Sequence, residues 1–314
     1  MGNCNCSDSG TAAGDGTVEV YDNFTSTKGA PAEHTNEANR TPVAFNLCEV
    51  PEIPDKLTPQ VKTTLATLTD KVLLTFSVPV KQVLLEDASF FKGECLNNSV
   101  CGKGERFYPD RSYARGCWLN GTLEGEGLEV LKNGDYYIGE FHNGQRHGQG
   151  KFVCLLEEST FDGQWKNGQK SGDGREYWNN GTYFEGTFLN GLKHGPGKLV
   201  WAEGGTYQGH FSRDEMEGAG TYQWADGRTY KGLWKNNMMN GKGVFTWADG
   251  KRYHGEYVND KKHGFGIFTW ETGKQYEGQW ADGVQHGTGK IVYTDGSVRQ
   301  GEWYHGDRVQ WIDS

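Results

Sequence analysis

The residues of this 314-residue chain that could carry chemistry are nine histidines, seven cysteines and a long series of G-x-G pairs. His147, His194, His263 and His286 each stand just before a G-x-G. At one per repeated unit they are spread along the chain, whereas a metal ion needs ligands that converge. The cysteines are Cys4, Cys6, Cys48, Cys95, Cys101, Cys117 and Cys154. Their odd number, the lack of a CxxC pair and the lack of a secretory apolar segment point to reduced thiols in the cytosol. The G-x-G pairs never extend to G-x-x-x-x-G-K-[ST], so a phosphate-cradling loop is excluded. Neither G-x-S-x-G nor H-E-x-x-H occurs. No catalytic residue, metal or cofactor is therefore expected, and the chain reads as a non-enzyme. One acyl-accepting group of atoms remains, in Met1-Gly2-Asn3-Cys4-Asn5-Cys6-Ser7. Removal of Met1 would free the Gly2 amine, and the Cys4 and Cys6 thiols could take thioester-linked chains.

The elements that would position any site are legible from composition. Charge is 32 − 41 = −9, hydrophobic content is 35% and mean hydropathy is −0.75. Such a chain is too polar for one deep core, and its acidity argues against neutralising nucleic-acid phosphates. No apolar run approaches the ~18 residues of a transmembrane helix. Glycine numbers 47, of which only Gly2, Gly10, Gly14, Gly16 and Gly29 precede Phe91, and every tryptophan follows it. The divisions are accordingly 1–6, an acylation signal; 7–45, a polar disordered linker; 46–90, a small cap; and 91–314, a repeat array. In the cap, Thr58-Pro59 suits a helix start, with Val61, Leu65, Leu68 and Val72 at helical spacing. Val83-Leu84-Leu85 reads as a short strand or a further helical turn.

From Phe91 the chain repeats every 23 residues, with one extra residue before Phe161. The register passes through Phe91, Ala114, Tyr137, Phe161, Phe184, Tyr207, Tyr230, Tyr253, Tyr276 and Arg299. Two residues on, every unit has glycine; four residues on, nine of ten have an aromatic ring, Cys95 being the exception. Tyr253, Gly255 and Tyr257 share one face of a strand, and Gly264, Gly266, Phe268 and Trp270 one face of the next. Between them, position Asp260 is Gly, Asn or Asp in every unit, residues that tolerate positive φ. Units close with pairs such as Asp226-Gly227, Asp249-Gly250 and Asp295-Gly296, which predict two-residue hairpin turns. Glycines in the strands leave room for rings from neighbouring strands to lie over the backbone. The predicted fold is all-β: an elongated single-layer strip of antiparallel hairpins, roughly 20 strands at about 4.8 Å spacing and on the order of 90 Å long.

These residues resemble the MORN (membrane occupation and recognition nexus) repeat, Y-x-G-x-W-x-x-G-x-x-x-G-x-G. The unit from Tyr276 through Gly278, Trp280 and Gly283 to Gly287 and Gly289 fits it throughout. The likeness covers residues 91–303 and weakens at the ends, at Cys95, Asn98 and Ala114. It implies a role in assembly and membrane-proximal organisation and no chemistry of its own. The opening residues resemble an N-myristoylation signal with palmitoylation sites, on Gly2, Cys4 and Cys6. The strict pattern wants Ser or Thr where Cys6 stands. A second acyl chain would be needed, because residues 1–60 hold nine acids and three bases and offer no polybasic patch.

A one-layer sheet cannot cover its own apolar face. Trp234, Trp247, Tyr253, Tyr257, Trp270, Tyr276 and Trp280 are therefore expected to line a groove for a protein partner, for instance a helical segment. The favoured function is a membrane-tethered scaffold or adaptor, with homo-oligomerisation open. The resemblance places such a rod on the cytoplasmic face of a plasma, ciliary or cortical membrane, at a cilium or flagellum or the cortical cytoskeleton. The alternatives are a phospholipid-binding module, and a regulatory subunit of a lipid kinase or other enzyme supplied in trans.

Overall fold

The computed structural model describes Pro59, residues 80–96 and residues 99–312. The chain divides into Met1–Phe45 and Asn46–Ser314, and every described residue belongs to the second unit. The acylation signal, the linker and the helical spacing at Val61–Val72 lie outside the described residues. Twenty-one strands run from Lys81–Leu84 to Asp307–Trp311 in one sheet. Each pairs antiparallel with the next in sequence, so the sheet is an open meander. Val83 and Leu84 belong to a strand, Val83 opposite Phe91, so among the described residues the sheet begins one strand before the repeats.

Two kinds of turn alternate along the sheet. At Asn259-Asp260 both residues have positive φ, 48° and 65°, as the two-residue type I′ hairpin requires. The Asp260 N–H donates to the Met239 carbonyl at 3.0 Å, and Asp260 Oδ1 accepts from Met239 N–H at 2.7 Å. Each such turn is thereby fastened to the unit before it. Sequence had assigned the two-residue turns to the Asp-Gly pairs, and the structure corrects this. Gly227 has φ of 88° while Asp226 is absent from the positive-φ residues, and Gly227 N–H returns to the Trp224 carbonyl at 3.1 Å. That is a turn of the ordinary hand closed by a left-handed glycine, the longer hairpin connection. Its aspartate serves as an acceptor: Arg228 N–H donates to Asp226 Oδ1 at 3.1 Å, and Ser297 N–H to Asp295 Oδ1 at 2.9 Å.

The strands Arg252–Val258 and Lys261–Thr269 show why both glycines of the G-x-G are needed. Gly255 lies opposite Gly266 and Glu256 opposite His263, leaving Gly264 and Phe265 as a bulge. Gly264 takes φ of 60°, the left-handed position a bulge of this type demands. Gly266 serves a different purpose. The Tyr253 ring crosses from Gly255 on its own strand to Gly266 on the next, and a methyl group at Gly255 would stand 2.5 Å from its hydroxyl oxygen. The ring over Gly266 thus comes from the neighbouring strand, as the sequence suggested, while the same ring also covers Gly255 two residues on along its own strand. Its hydroxyl donates to the Glu256 carbonyl at 3.1 Å, beside the bulge. Tyr137, Tyr207, Tyr230 and Tyr276 make the matching bond to the carbonyl three residues on, at 2.9–3.0 Å.

Rings then stack from unit to unit. Tyr253 meets Tyr257 edge-on at 5.2 Å between centroids and Trp280 of the next unit at 5.1 Å. Trp280 Nε1 donates to the Gly266 carbonyl at 3.1 Å, and Trp118 and Trp165 repeat that bond at 3.0 Å. Each buried ring contributes about 2–3 kcal/mol of burial, and each edge-on pair about 1 kcal/mol more. The core is accordingly a row of rings over glycine, repeated by nearest neighbours.

Candidate functional site

The seven rings expected to line one groove divide into two levels. Tyr253 and Tyr276 are fully covered, and Trp234, Tyr257 and Trp280 are buried. All five occupy the first strand of a unit, where Tyr253 and Tyr276 lie on the glycine pairs and Trp234, Tyr257 and Trp280 pack edge-on against such rings. Trp247 and Trp270 are partly exposed, at the end of the second strand of each unit.

Trp247 and Trp270 belong to a longer surface row that the sequence reading did not single out. Seventeen residues after the start of successive units stand Trp178, Trp201, Trp224, Trp247, Trp270 and Tyr293. Each packs on the core while remaining partly exposed. Two residues earlier, Tyr222, Phe245 and Phe268 fill the gaps. From Trp201 the rings run unbroken: Trp201 to Tyr222 at 5.1 Å, Tyr222 to Trp224 at 4.4 Å, Trp224 to Phe245 at 5.2 Å. Phe245 to Trp247 at 4.5 Å, Trp247 to Phe268 at 5.6 Å and Phe268 to Trp270 at 4.9 Å complete the chain. The repeat register alone could have found this row, since Trp247 and Trp270 were already on it.

Beside the row, nine residues into each unit, stand Arg146, Lys170, Lys193, Met216, Met239 and Lys262. The first three are ion-paired over the rings. Arg146 Nη2 lies 3.0 Å from Glu129, Lys170 pairs with Glu176, and Lys193 Nζ lies 3.6 Å from Glu176 and 3.4 Å from Asp214. Met216 and Met239 pack on the core as partly buried apolar side chains. Lys262 differs from both sets. Its Nζ sits over Trp247, Tyr253, Phe268 and Trp280 at 4.8–5.4 Å from the ring centroids. Among the described residues no carboxylate lies within ion-pairing distance of it, and burial lowers its pKa to about 8. Burial raises the hydroxyls of Tyr207 and Tyr276 to about 12, so they remain donors to the backbone at ordinary pH.

The histidines that precede the G-x-G pairs keep to their separate units. His147 and His286 each leave a buried Nδ1 without a hydrogen-bond partner. Cys95, Cys101 and Cys117 are free thiols. Gly2, Cys4 and Cys6 lie outside the described residues.

A structure of the Drosophila melanogaster SAS-4 (dCPAP) TCP domain, in complex with a proline-rich motif of Ana2, is 14% identical, covering 57% of this chain and 92% of that one, with a TM-score of 0.31. The Danio rerio CPAP TCP10 domain is 9% identical, covering 74% and 100%, with a TM-score of 0.23. No curated protein matches the sequence. The MORN repeat model matches residues 115–136, 137–154, 161–183, 184–206, 207–227, 230–252, 253–275 and 276–298, which together exceed half of the chain. The sheet adds a similar hairpin before the first match and a shorter one after the last. The chain belongs to the MORN repeat family.

Proposed function

We propose that this protein is a non-enzymatic scaffold that holds a protein partner along the aromatic row and is tethered to a membrane through Gly2, Cys4 and Cys6. MORN repeats are consistent with a protein-binding or membrane-associated repeat protein. The observation that supports the finer reading is the unbroken chain of rings from Trp201 to Trp270, all partly exposed except the buried Phe245. Large rings of few rotamers on a rigid sheet are the residues that dominate binding hot spots. An apolar or amphipathic segment, such as a helix laying one face along the row, is the occupant this geometry suits. Tethering would bring that partner to a cytoplasmic membrane face, for instance at a cilium or the cortical cytoskeleton.

Trp247→Ala with Trp270→Ala is expected to remove the partner from the set labelled by a proximity enzyme fused to the protein in its native cell. Hydrogen exchange in the variant should be unchanged outside the two altered units. An unchanged labelled set in a folded variant would refute the groove. Gly2→Ala tests the tether separately, and should move the protein from the membrane pellet to the soluble fraction.

A further inference from the structure

Lys262 is a cation whose charged equivalents in the same sheet have carboxylate partners, while it has none among the described residues. At this register Lys170 and Lys193 share the Glu176 carboxylate, which stands 15 residues into its own unit. In the Lys262 unit that position is Phe268, a ring lying 5.0 Å from Nζ. The anion is therefore replaced by an aromatic wall. Cation–ring attraction offsets part of the cost of a half-buried ammonium group, yet a desolvated single charge still favours an anion.

We propose that Lys262 is the selective point of the groove, pairing with an acidic side chain of the docked protein segment, whose carboxylate does for Lys262 what Glu176 does for Lys170 and Lys193. This rests on the groove reading above and specifies its occupant: a segment with Asp or Glu flanked by apolar side chains. A carboxylate suits the place better than a phosphate does. One ammonium group neutralises one carboxylate, whereas a phosphate dianion would keep an unpaired charge against four rings. The walls are apolar on either side, with Trp247 and Trp270 joined through Phe268. A second cation stands on this stretch of the row, Lys274, with its Nζ 5.0 Å from the Trp270 ring centroid, but the carboxylates around Lys262 are engaged elsewhere. Tyr253 and Tyr257, on the adjacent strand, have hydroxyls that burial keeps protonated. On the strand at the other side, Glu277 pairs with Lys290 at 2.8 Å. At the following turn, Asp282 faces Lys261 at 3.4 Å.

The pairing predicts a pH dependence of known sign. The lysine must be charged to bind, and its pKa of about 8 when free means affinity should fall as pH passes from about 7 to about 9.5.

The test is selection of peptides from a random display library against the full chain, wild type and Lys262→Met. Methionine is what the sheet itself places at this register in Met216 and Met239, so the variant should fold. Wild type is expected to enrich Asp or Glu between apolar residues, and Lys262→Met to enrich the apolar residues alone. A selected Glu peptide should bind wild type about tenfold more tightly than its Gln counterpart, and Lys262→Met should erase that ratio. Apolar peptides selected without an acid, and released by Trp247→Ala with Trp270→Ala, would overturn the Lys262 proposal and leave the groove standing. Peptides indifferent to the tryptophans, or no selection at all, would overturn both. Lys262-dependent binding of vesicles containing phosphatidylserine, with no acidic peptide selected, would assign the lysine to a lipid headgroup and overturn it as well.

Discussion

Residues 137–200 and residues 207–293 are built on one repeat, yet they finish their aromatic face differently. In the first, Arg146, Lys170 and Lys193 lie over the rings and are paired with Glu129, Glu176 and Asp214. The charges there are satisfied within the chain. In the second, the same register holds Met216, Met239 and Lys262, which has no carboxylate partner among the described residues, and the place of Glu176 in its unit is taken by Tyr222, Phe245 and Phe268 in turn. The rings below are alike in both: Phe161 and Tyr253 each lie over a glycine pair. The difference teaches that the deeper level makes the fold, while the residues nine, 15 and 17 positions into each unit decide whether that stretch is closed on itself or open to a partner.

The largest expected effect ignores the distinction between the regions. Gly174→Val would push into the Phe161 ring and Gly266→Val into Tyr253, so each should cost about 3 kcal/mol in urea unfolding. A cost in one region only would mean that the two are not built on the same core. Next comes Glu176→Ala, which takes the carboxylate from Lys170 and leaves Lys193 with Asp214 alone. Both lysines are partly exposed, so about 2 kcal/mol is expected, less than for a fully buried triad. A neutral result would mean the closed region is not held by its charges.

The open region should answer differently to pH. Folded Lys262 has its pKa lowered to about 8, below the roughly 10.4 of an unfolded lysine. Between those values the unfolded chain binds the extra proton, so stability rises with pH across that window and the lysine penalty is fully present below it. Comparing wild type with Lys262→Met across this range isolates the effect, because the tyrosines titrate alike in both. Curves that keep a constant offset would show that the lysine is not desolvated. The smallest effect is expected on the other face. Phe265 is 58% exposed, and Phe265→Ser should change stability by no more than about 0.5 kcal/mol and leave partner binding intact.

Much of this was legible before the structure. A period of 23 residues with glycine at the third position defines hairpins, and Asp260 and its equivalents mark their turns. The type of the Asp-Gly turn was not legible, because the dipeptide suits both a two-residue turn and a longer one; the left-handed glycine alone decides. The division of the rings into two levels was not legible either. Tyr253 and Trp270 look equivalent as large aromatics in strands, and only the path of Tyr253 across Gly255 and Gly266 shows which is covered. The isolation of Lys262 was hidden for a further reason. Its walls come from Trp247 before it and Trp280 after it, so no single repeat contains the feature. Attention to the consensus favours what every unit shares, whereas this site lies in what one unit lacks.

Photo-crosslinking in the native cell tests the open aromatic row most directly. A photoreactive phenylalanine analogue at Met239, within the row, should give a discrete adduct with a protein partner, and the same analogue at Phe265 on the opposite face should give none. Adducts at Phe265 with none at Met239 would contradict a docking site on the rings and place the partner on the other face of the sheet.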